Sequence, residues 1–301
     1  MNRRSFLAGA AAAGALTPLF QSVVAADAAS NVRISACDWS IGMKQTPEAL
    51  VLGKEIGLDG IEVSFSDGGD FDLRKKEVRR EYYETSRRTG VAIATLAMGI
   101  LNSRPFATDP DAPKWVGECI ETMATMKSEA SEMSDAKLAS RVAPSVVLLA
   151  FFGKGDINGK PDLMEATIKR LKELAPMAEK AGVVLGIESR LNAADHLKIV
   201  RAVDSPAVKV YYDTRNMVAM GYPLLEDVRK IGGENLCRSL HFKEKGATLG
   251  KGTIDFKAFK GVLDDMGYEG WLTIESSLPK GAKVLEAYRE NVGFLRELYK
   301  A

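Results

Sequence analysis

Four residues with ligand or acid–base chemistry close four successive apolar runs: Glu188 in VVLGIES, Asp213 in VKVYYDT, His241 in CRSLHF and Glu275 in WLTIES. His241 is one of two histidines in the 301 residues. Taken singly, a strand-end acid is more often a cap or surface charge than a ligand, and a lone histidine is more often a hydrogen-bonded strand-edge residue. Taken together, three carboxylates and an imidazole in a partly desolvated site repel one another too strongly to stay ionised without a cation among them. Oxygen-rich ligation with one nitrogen suits Mn²⁺, Mg²⁺ or Co²⁺ and admits Zn²⁺. The expected cofactor is one divalent metal ion, with Mn²⁺ first.

Side-chain alternation decides whether the four can meet, because residues i and i+2 of a strand share a face. Glu188 goes with Gly186 and Val184, opposite the bulkier Val183, Leu185 and Ile187. Asp213 goes with Tyr211 and Lys209, His241 with Ser239 and Cys237, and Glu275 with Thr273 and Trp271. The opposite faces carry residues suited to a helix layer, such as Val210, Leu240 and Ile274. By the same parity Glu62 in GIEVSF and Trp39 in VRISACDW also point inward.

The elements that must position these side chains are short runs rich in Val, Ile and Leu, alternating with amphipathic segments. Eight strands are expected, at 32–39, 60–65, 91–98, 145–152, 183–189, 208–214, 237–242 and 271–276. Helical periodicity is clearest in TPEALVLGKEIG, PDLMEATIKRLKELAPMAEKAG and AKVLEAYRENVGFLRELYK. Gly57, Gly90, Gly182 and Gly267 stand where C-terminal caps precede strands. Eight strands with intervening helices imply an α/β (β/α)8 TIM barrel more readily than an open doubly wound sheet, and such barrels form their active sites at the C-terminal ends of the strands. Residues 126–144 are expected to be an extended third helix or a surface excursion without recognisable chemistry. No linker or repeat divides residues 29–301, which are expected to form one domain.

Forty-one basic against 40 acidic residues, a formal net of +1, leave no electrostatic footprint for nucleic acid. Cys37, Cys119 and Cys237 are odd in number and widely spaced; they fit neither a disulfide framework nor a zinc motif and are expected to be buried small apolar residues. Residues 1–28 read as a twin-arginine signal peptide. Asn2-Arg3-Arg4-Ser5-Phe6-Leu7 resembles the twin-arginine motif, and small-residue cleavage sites follow at Val24-Ala25-Ala26 and Ala26-Asp27-Ala28. Gly14, Pro18, Gln21 and Ser22 make a poor spanning segment, which needs about 20 apolar residues. The chain is therefore expected to pass the twin-arginine translocase as folded cargo and reach the periplasm or another exported location, with no stable membrane anchor.

GIES, YYDT, LHFKEKG with LGKGTIDF, and LTIES resemble the motifs of the xylose isomerase-like TIM barrels, the sugar phosphate isomerase/epimerase superfamily that includes the ketose 3-epimerases. The resemblance spans essentially the whole mature chain. It implies that Glu188, Asp213, His241 and Glu275 ligate one metal and that Glu188 and Glu275 also flank the substrate as an acid/base pair. The epimerases carry a substrate-contacting histidine three positions after the strand-six aspartate; here DTRN puts Asn216 there. Lys243, of inward parity, Arg190, just beyond Glu188, and Glu62 join Asn216 as candidate substrate contacts, and Trp39 is a candidate stacking surface for a sugar. His196, in AADHLKIV, is expected to be an ordinary helix residue.

A metal across adjacent carbonyl and hydroxyl oxygens of a sugar acidifies the neighbouring carbon by stabilising an enediolate, and a carboxylate on each face removes and returns the proton. The expected activity is isomerisation or epimerisation of a non-phosphorylated carbohydrate. With a leaving group at the β position the same chemistry becomes elimination, a lyase acting on 3-keto-glycosides. Export weighs against phosphorylated substrates, and GKGTIDF lacks the residues of a phosphate-binding loop. Trinuclear zinc phosphodiester hydrolysis needs more histidines than this chain has. A non-catalytic sugar-binding barrel differs from an enzyme in lacking metal-dependent turnover. The particular sugar and the oligomeric state, a homo-oligomer included, stay open.

Changing Arg3 and Arg4 together to Lys should strand the precursor in the cytoplasm of a host with a twin-arginine translocase. Undiminished appearance of processed protein outside the cytoplasm would exclude this route.

Overall fold

The Val, Ile and Leu runs form eight strands: β1 (Ile34–Cys37), β2 (Gly60–Ser64), β3 (Ala92–Met98), β4 (Val146–Ala150), β5 (Val184–Glu188), β6 (Val208–Asp213), β7 (Cys237–Phe242) and β8 (Leu272–Ile274). The structure, a computed structural model, describes residues 33–234, 237–276 and 278–300. The segment expected to direct export lies outside the described residues. Every strand pairs in parallel with its sequence neighbour, and β1 pairs with β8 to close the barrel. Between them run α1 (Glu48–Ile56), α2 (Lys76–Thr89), α3 (Ala112–Ser131), α4 (Ala136–Val142), α5 (Pro161–Ala181), α6 (Ala193–Val203), α7 (Thr214–Ala219), α8 (Leu224–Gly233) and α9 (Phe256–Asp265), with α10 (Val284–Leu298) last. This is the (β/α)8 TIM barrel expected from the strand count.

The helices sit on the sheet through apolar stripes. In α5 the buried residues Met164, Thr167, Leu171, Ala175 and Ala178 recur at three- and four-residue steps, the period that keeps one helical face on the core. Gly57 and Gly182 end α1 and α5 at φ 95° and 62°, a left-handed conformation that costs glycine least. The 126–144 stretch is in part the extended third helix expected of it and in part a separate short helix whose Leu138 and Val142 are buried. Helix α3 continues to Ser131, and α4 then starts afresh because Asp135 accepts hydrogen bonds from the backbone N–H groups of Lys137 and Leu138. Cys37, Cys119 and Cys237 are buried and free. Among the described residues no helix is long and apolar enough to cross a membrane.

Inside the barrel the filling is uneven. Ala97, Val146, Leu148, Ala150 and Tyr211 form an apolar cluster on one side. Ser35, Glu62, Thr95, Ser239, His241 and Thr273, all buried, fill the other. Two register shifts place these polar groups. Against β3 the pairing runs Ile61 with Ile93 but Glu62 with Thr95; against β7 it runs Val210 with Cys237 but Tyr211 with Ser239. Each shift skips one partner residue, which turns the strand and re-aims the side chains beyond it. As a result Thr95 stands beside Glu62, and Asp213 beside His241.

Gly186 provides room for this arrangement. A Cβ there would stand 3.2 Å from Cβ of Tyr211, a contact that the barrel interior has little freedom to relieve. Gly186→Val should lower the unfolding free energy by about 1–3 kcal/mol through overpacking, read from denaturant midpoints. An unchanged midpoint would show that Tyr211 has space that the packing denies it.

Candidate active site

His241, in line with Asp213 on β6, points Nδ1 at three carboxylates. The nitrogen lies 3.1 Å from Oε1 of Glu188, 3.4 Å from Oε2 of Glu275 and 3.7 Å from Oδ2 of Asp213. One ligand atom from each of the four lies within 4.8 Å of the others. Asp213 divides its oxygens. Oδ1 accepts from the backbone N–H of Asn216 at 2.6 Å and caps α7, whereas Oδ2 is buried with no hydrogen-bond partner. A buried oxygen left unpaired is costly unless something else satisfies it. A divalent cation would do so, and the donor set of three carboxylate oxygens and one imidazole nitrogen fits one.

The two glutamates are held differently. Glu275, just past the end of β8, accepts from Trp39 Nε1 at 3.1 Å and from Lys243 Nζ at 2.7 Å. Glu188 accepts a longer bond, 3.4 Å, from Asn216 Nδ2. Both face a cleft of about 450 Å³ at the C-terminal mouth of the barrel. Of the expected substrate contacts, Trp39, Arg190, Asn216 and Lys243 line this cleft. Arg190 is the most open of them, its side chain 52% exposed and 3.8 Å from Asp156. Trp39 sits in the turn after β1 rather than on the strand. Oδ2 of Asp38 accepts from the backbone N–H groups of Gln45 and Ser64, and Oδ1 accepts from the Ser64 hydroxyl. That bend ends the strand early and brings the indole against Glu275 and His241.

Glu62 corrects the expectation of a substrate contact. It faces inward as its parity requires but lies below the mouth with no exposed surface, and both its oxygens are already bonded to neighbouring side chains. His196 is buried in α6 with Nε2 2.9 Å from the Ser189 hydroxyl; burial pushes it down to about 4, so it is a neutral structural residue. The cleft also contains Lys44, Ser64, Asn102 and Phe152, which the motifs did not mark. Phe152 was within reach, since alternation along SVVLLAFF puts it on the face of Leu148 and Ala150. Lys44 lies in a turn and Asn102 ends the single 3₁₀ turn Gly99–Asn102, both too short for a periodicity that tells which way a side chain points.

The profile of the xylose isomerase-like TIM barrel family matches residues 50–298. The chain belongs to that family. Solved structures similar to it include the 3-keto-D-glucoside 4-epimerase from E. coli, at 18% identity over 88% of this chain and 99% of that one, TM-score 0.66. Another is the D-psicose 3-epimerase with D-tagatose from Clostridium cellulolyticum H10, at 16% identity over 90% and 100%, TM-score 0.70. A third is a xylose isomerase-like TIM barrel protein from Mycobacterium smegmatis in complex with magnesium, at 16% identity over 90% and 98%, TM-score 0.68. At these identities the likeness is one of fold. No curated protein sequence matches the chain significantly.

In this member of the family the environment separates the acids. Burial pushes Asp213 up to about 7 and raises Glu188 against the pull of His241. Burial also acts on Glu275, but the hydrogen bond and charge of His241 and the charge of Lys243 outweigh it and hold this carboxyl well below its ordinary value. Burial opposes charge on the imidazole, while the acids on both its nitrogens raise its affinity for a second proton. Metal uptake needs Asp213 and Glu188 ionised and Nδ1 unprotonated, so protons compete with it.

Mn²⁺ affinity should therefore strengthen as pH rises between about 5.5 and 7.5, by about tenfold per unit for each proton displaced, as read by titration calorimetry. Asp213→Ala should empty the centre while circular dichroism still reports a folded barrel. Full Mn²⁺ occupancy in that variant, or an affinity indifferent to pH, would rule out the centre.

Proposed function

We propose that the protein is a metal-dependent sugar isomerase or epimerase that moves a proton on the carbon beside the carbonyl of a non-phosphorylated carbohydrate. The observation that carries this reading is the unpartnered Oδ2 of Asp213, buried among Glu188, Glu275 and Nδ1 of His241 where the two glutamates line the cleft. Two similar barrels, a 3-keto-D-glucoside 4-epimerase and a D-psicose 3-epimerase, support the same class. These four residues would hold a divalent ion, Mn²⁺ in our reading, which would supply Lewis acidity for acidifying the C–H beside a substrate carbonyl.

The chain's own residues do the rest. Glu275 and Glu188, both facing the cleft, are the pair suited to take the proton and return it, one acting as base while the other acts as acid. In the reverse reaction the roles exchange. Lys243 and Asn216, both on the cleft wall and both bonded to a glutamate, are placed to hold substrate oxygens against the pair. Trp39 and Phe152 offer flat apolar surface for the C–H face of a sugar. Export through residues 1–28, which we also propose, fits a substrate without phosphate.

One observation favours elimination on a 3-keto-glycoside as a second reading. The Lys243 ammonium, 2.7 Å from Glu275 and held charged by it, is a cation positioned where a departing oxygen could take its proton.

Glu188→Gln and Glu275→Gln should each lower turnover at saturating Mn²⁺ by at least about 10²-fold, the scale of acid–base contributions. With the wild-type protein in D₂O and a panel of ketoses and keto-glycosides, deuterium beside the carbonyl of an otherwise intact product marks isomerisation or epimerisation. Release of the aglycone with an unsaturated keto product marks the lyase. Neither exchange nor elimination with metal bound would reject both readings and leave a sugar-binding barrel.

A further inference from the structure

We infer that Glu62 is a positioning residue for the metal centre, acting through His241: it holds the Nε2–H tautomer and so presents the Nδ1 lone pair to the ion. The inference rests on the assignment of Glu188, Asp213, His241 and Glu275 as metal ligands made above.

The geometry comes from a carboxylate without exposed surface that is surrounded by donors. Oε2 accepts from the Thr95 hydroxyl at 2.5 Å and from the Tyr211 hydroxyl at 2.7 Å. Oε1 lies 2.9 Å from Nε2 of His241 and accepts a weaker bond from the Cys37 thiol at 3.5 Å. With the Thr95 and Tyr211 hydroxyls and the Cys37 thiol all donating to it, the Glu62 carboxyl group serves as an acceptor, so the hydrogen on the Oε1–Nε2 contact belongs to Nε2. The other ring nitrogen is then the one facing the three ligand acids.

Two further contacts keep the ring from turning. Tyr211 packs against it with centroids 4.7 Å apart, and Trp39 meets it edge-on at 6.2 Å. Tyr211 is itself anchored, its hydroxyl 3.3 Å from that of Thr273. A metal-bound histidine whose other nitrogen donates to a carboxylate is fixed in orientation and is a more basic ligand, and loss of such a partner typically costs about 10- to 100-fold in metal affinity. Glu62 shares no surface with the cleft, so these effects reach the substrate only through the ring of His241.

The chain's two histidines make the tautomer directly readable by ¹H–¹⁵N imidazole NMR, with His241→Gln assigning the signals. In the wild-type protein loaded with Zn²⁺, a diamagnetic probe, His241 should show a slowly exchanging Nε2 proton and a metal-shifted Nδ1. Glu62→Gln, which keeps the volume, should weaken Mn²⁺ binding by about 10- to 100-fold in calorimetry and loosen or invert that tautomer. Tyr211→Phe, which removes one donor and leaves the carboxylate, should weaken binding less. A Zn²⁺-shifted Nε2 with the proton on Nδ1 would overturn the inference and leave the metal centre standing. So would a folded Glu62→Gln protein with wild-type Mn²⁺ affinity and tautomer. No response of His241 to either ion in the wild-type protein would overturn the inference together with the metal assignment.

Discussion

A buried carboxylate against a buried imidazole is the interaction on which the rest of this barrel is arranged. Glu62 and His241 have no exposure, and burying two ionisable groups is tolerable only where geometry and hydrogen bonding compensate for the lost water. Compensation comes from around the barrel. Cys37 on β1, Thr95 on β3 and Tyr211 on β6 donate to Glu62, while Thr273 on β8 meets both Tyr211 and Ser35 on β1. The polar half of the interior is therefore a connected network, and a fully satisfied network fixes one arrangement more sharply than apolar packing does. The two skipped residues in β3 and β7 are the backbone's adjustment to it.

Above this layer the functional groups rise in order. The imidazole carries the network to the floor of the cleft, where Glu188, Asp213 and Glu275 meet Nδ1. Because these residues stand on or just beyond strands, their spacing is set by the barrel and not by loop conformation. The mouth is built differently. Asp38 binds the β1–α1 loop to β2, and Glu244, buried after β7, accepts from the backbone N–H of Ile254 to hold the following loop. Asn291 on α10 bonds both Leu249 and Ser276, tying the last two mouth segments to one helix. Buried acids and amides that take backbone donors give these loops a definite shape without a core of their own. In the proposed reaction, proton chemistry falls to the strand-borne floor and substrate choice to the tied rim.

Much of this was legible before any coordinates. The β-branched and leucine-rich runs alternate with helical stripes, and a strand's two-residue period assigns Glu188, Asp213, His241 and Glu275 to one face by local stereochemistry alone. The four ligand candidates, the eight strands and the closing glycines therefore followed from residue order. The same reasoning put Glu62 inward but could not say how deep. Depth depends on register between neighbouring strands, and register is settled by pairing across the barrel. The skipped residues at Ala94 and Arg238 have no signature in their own strands. They decide that Thr95 meets Glu62 and that His241 meets Asp213.

The sequence by itself determined which side chains look into the barrel, because alternation is a property of the single strand. Tertiary structure decided what each one meets there: that Glu62 grips His241, that Trp39 leaves its strand to cover Glu275, and that Lys44 from a turn and Asn102 from a short 3₁₀ helix reach the cleft. These outcomes depend on distances between segments far apart in the chain. Such distances arise only when burial forces the polar groups to find their partners.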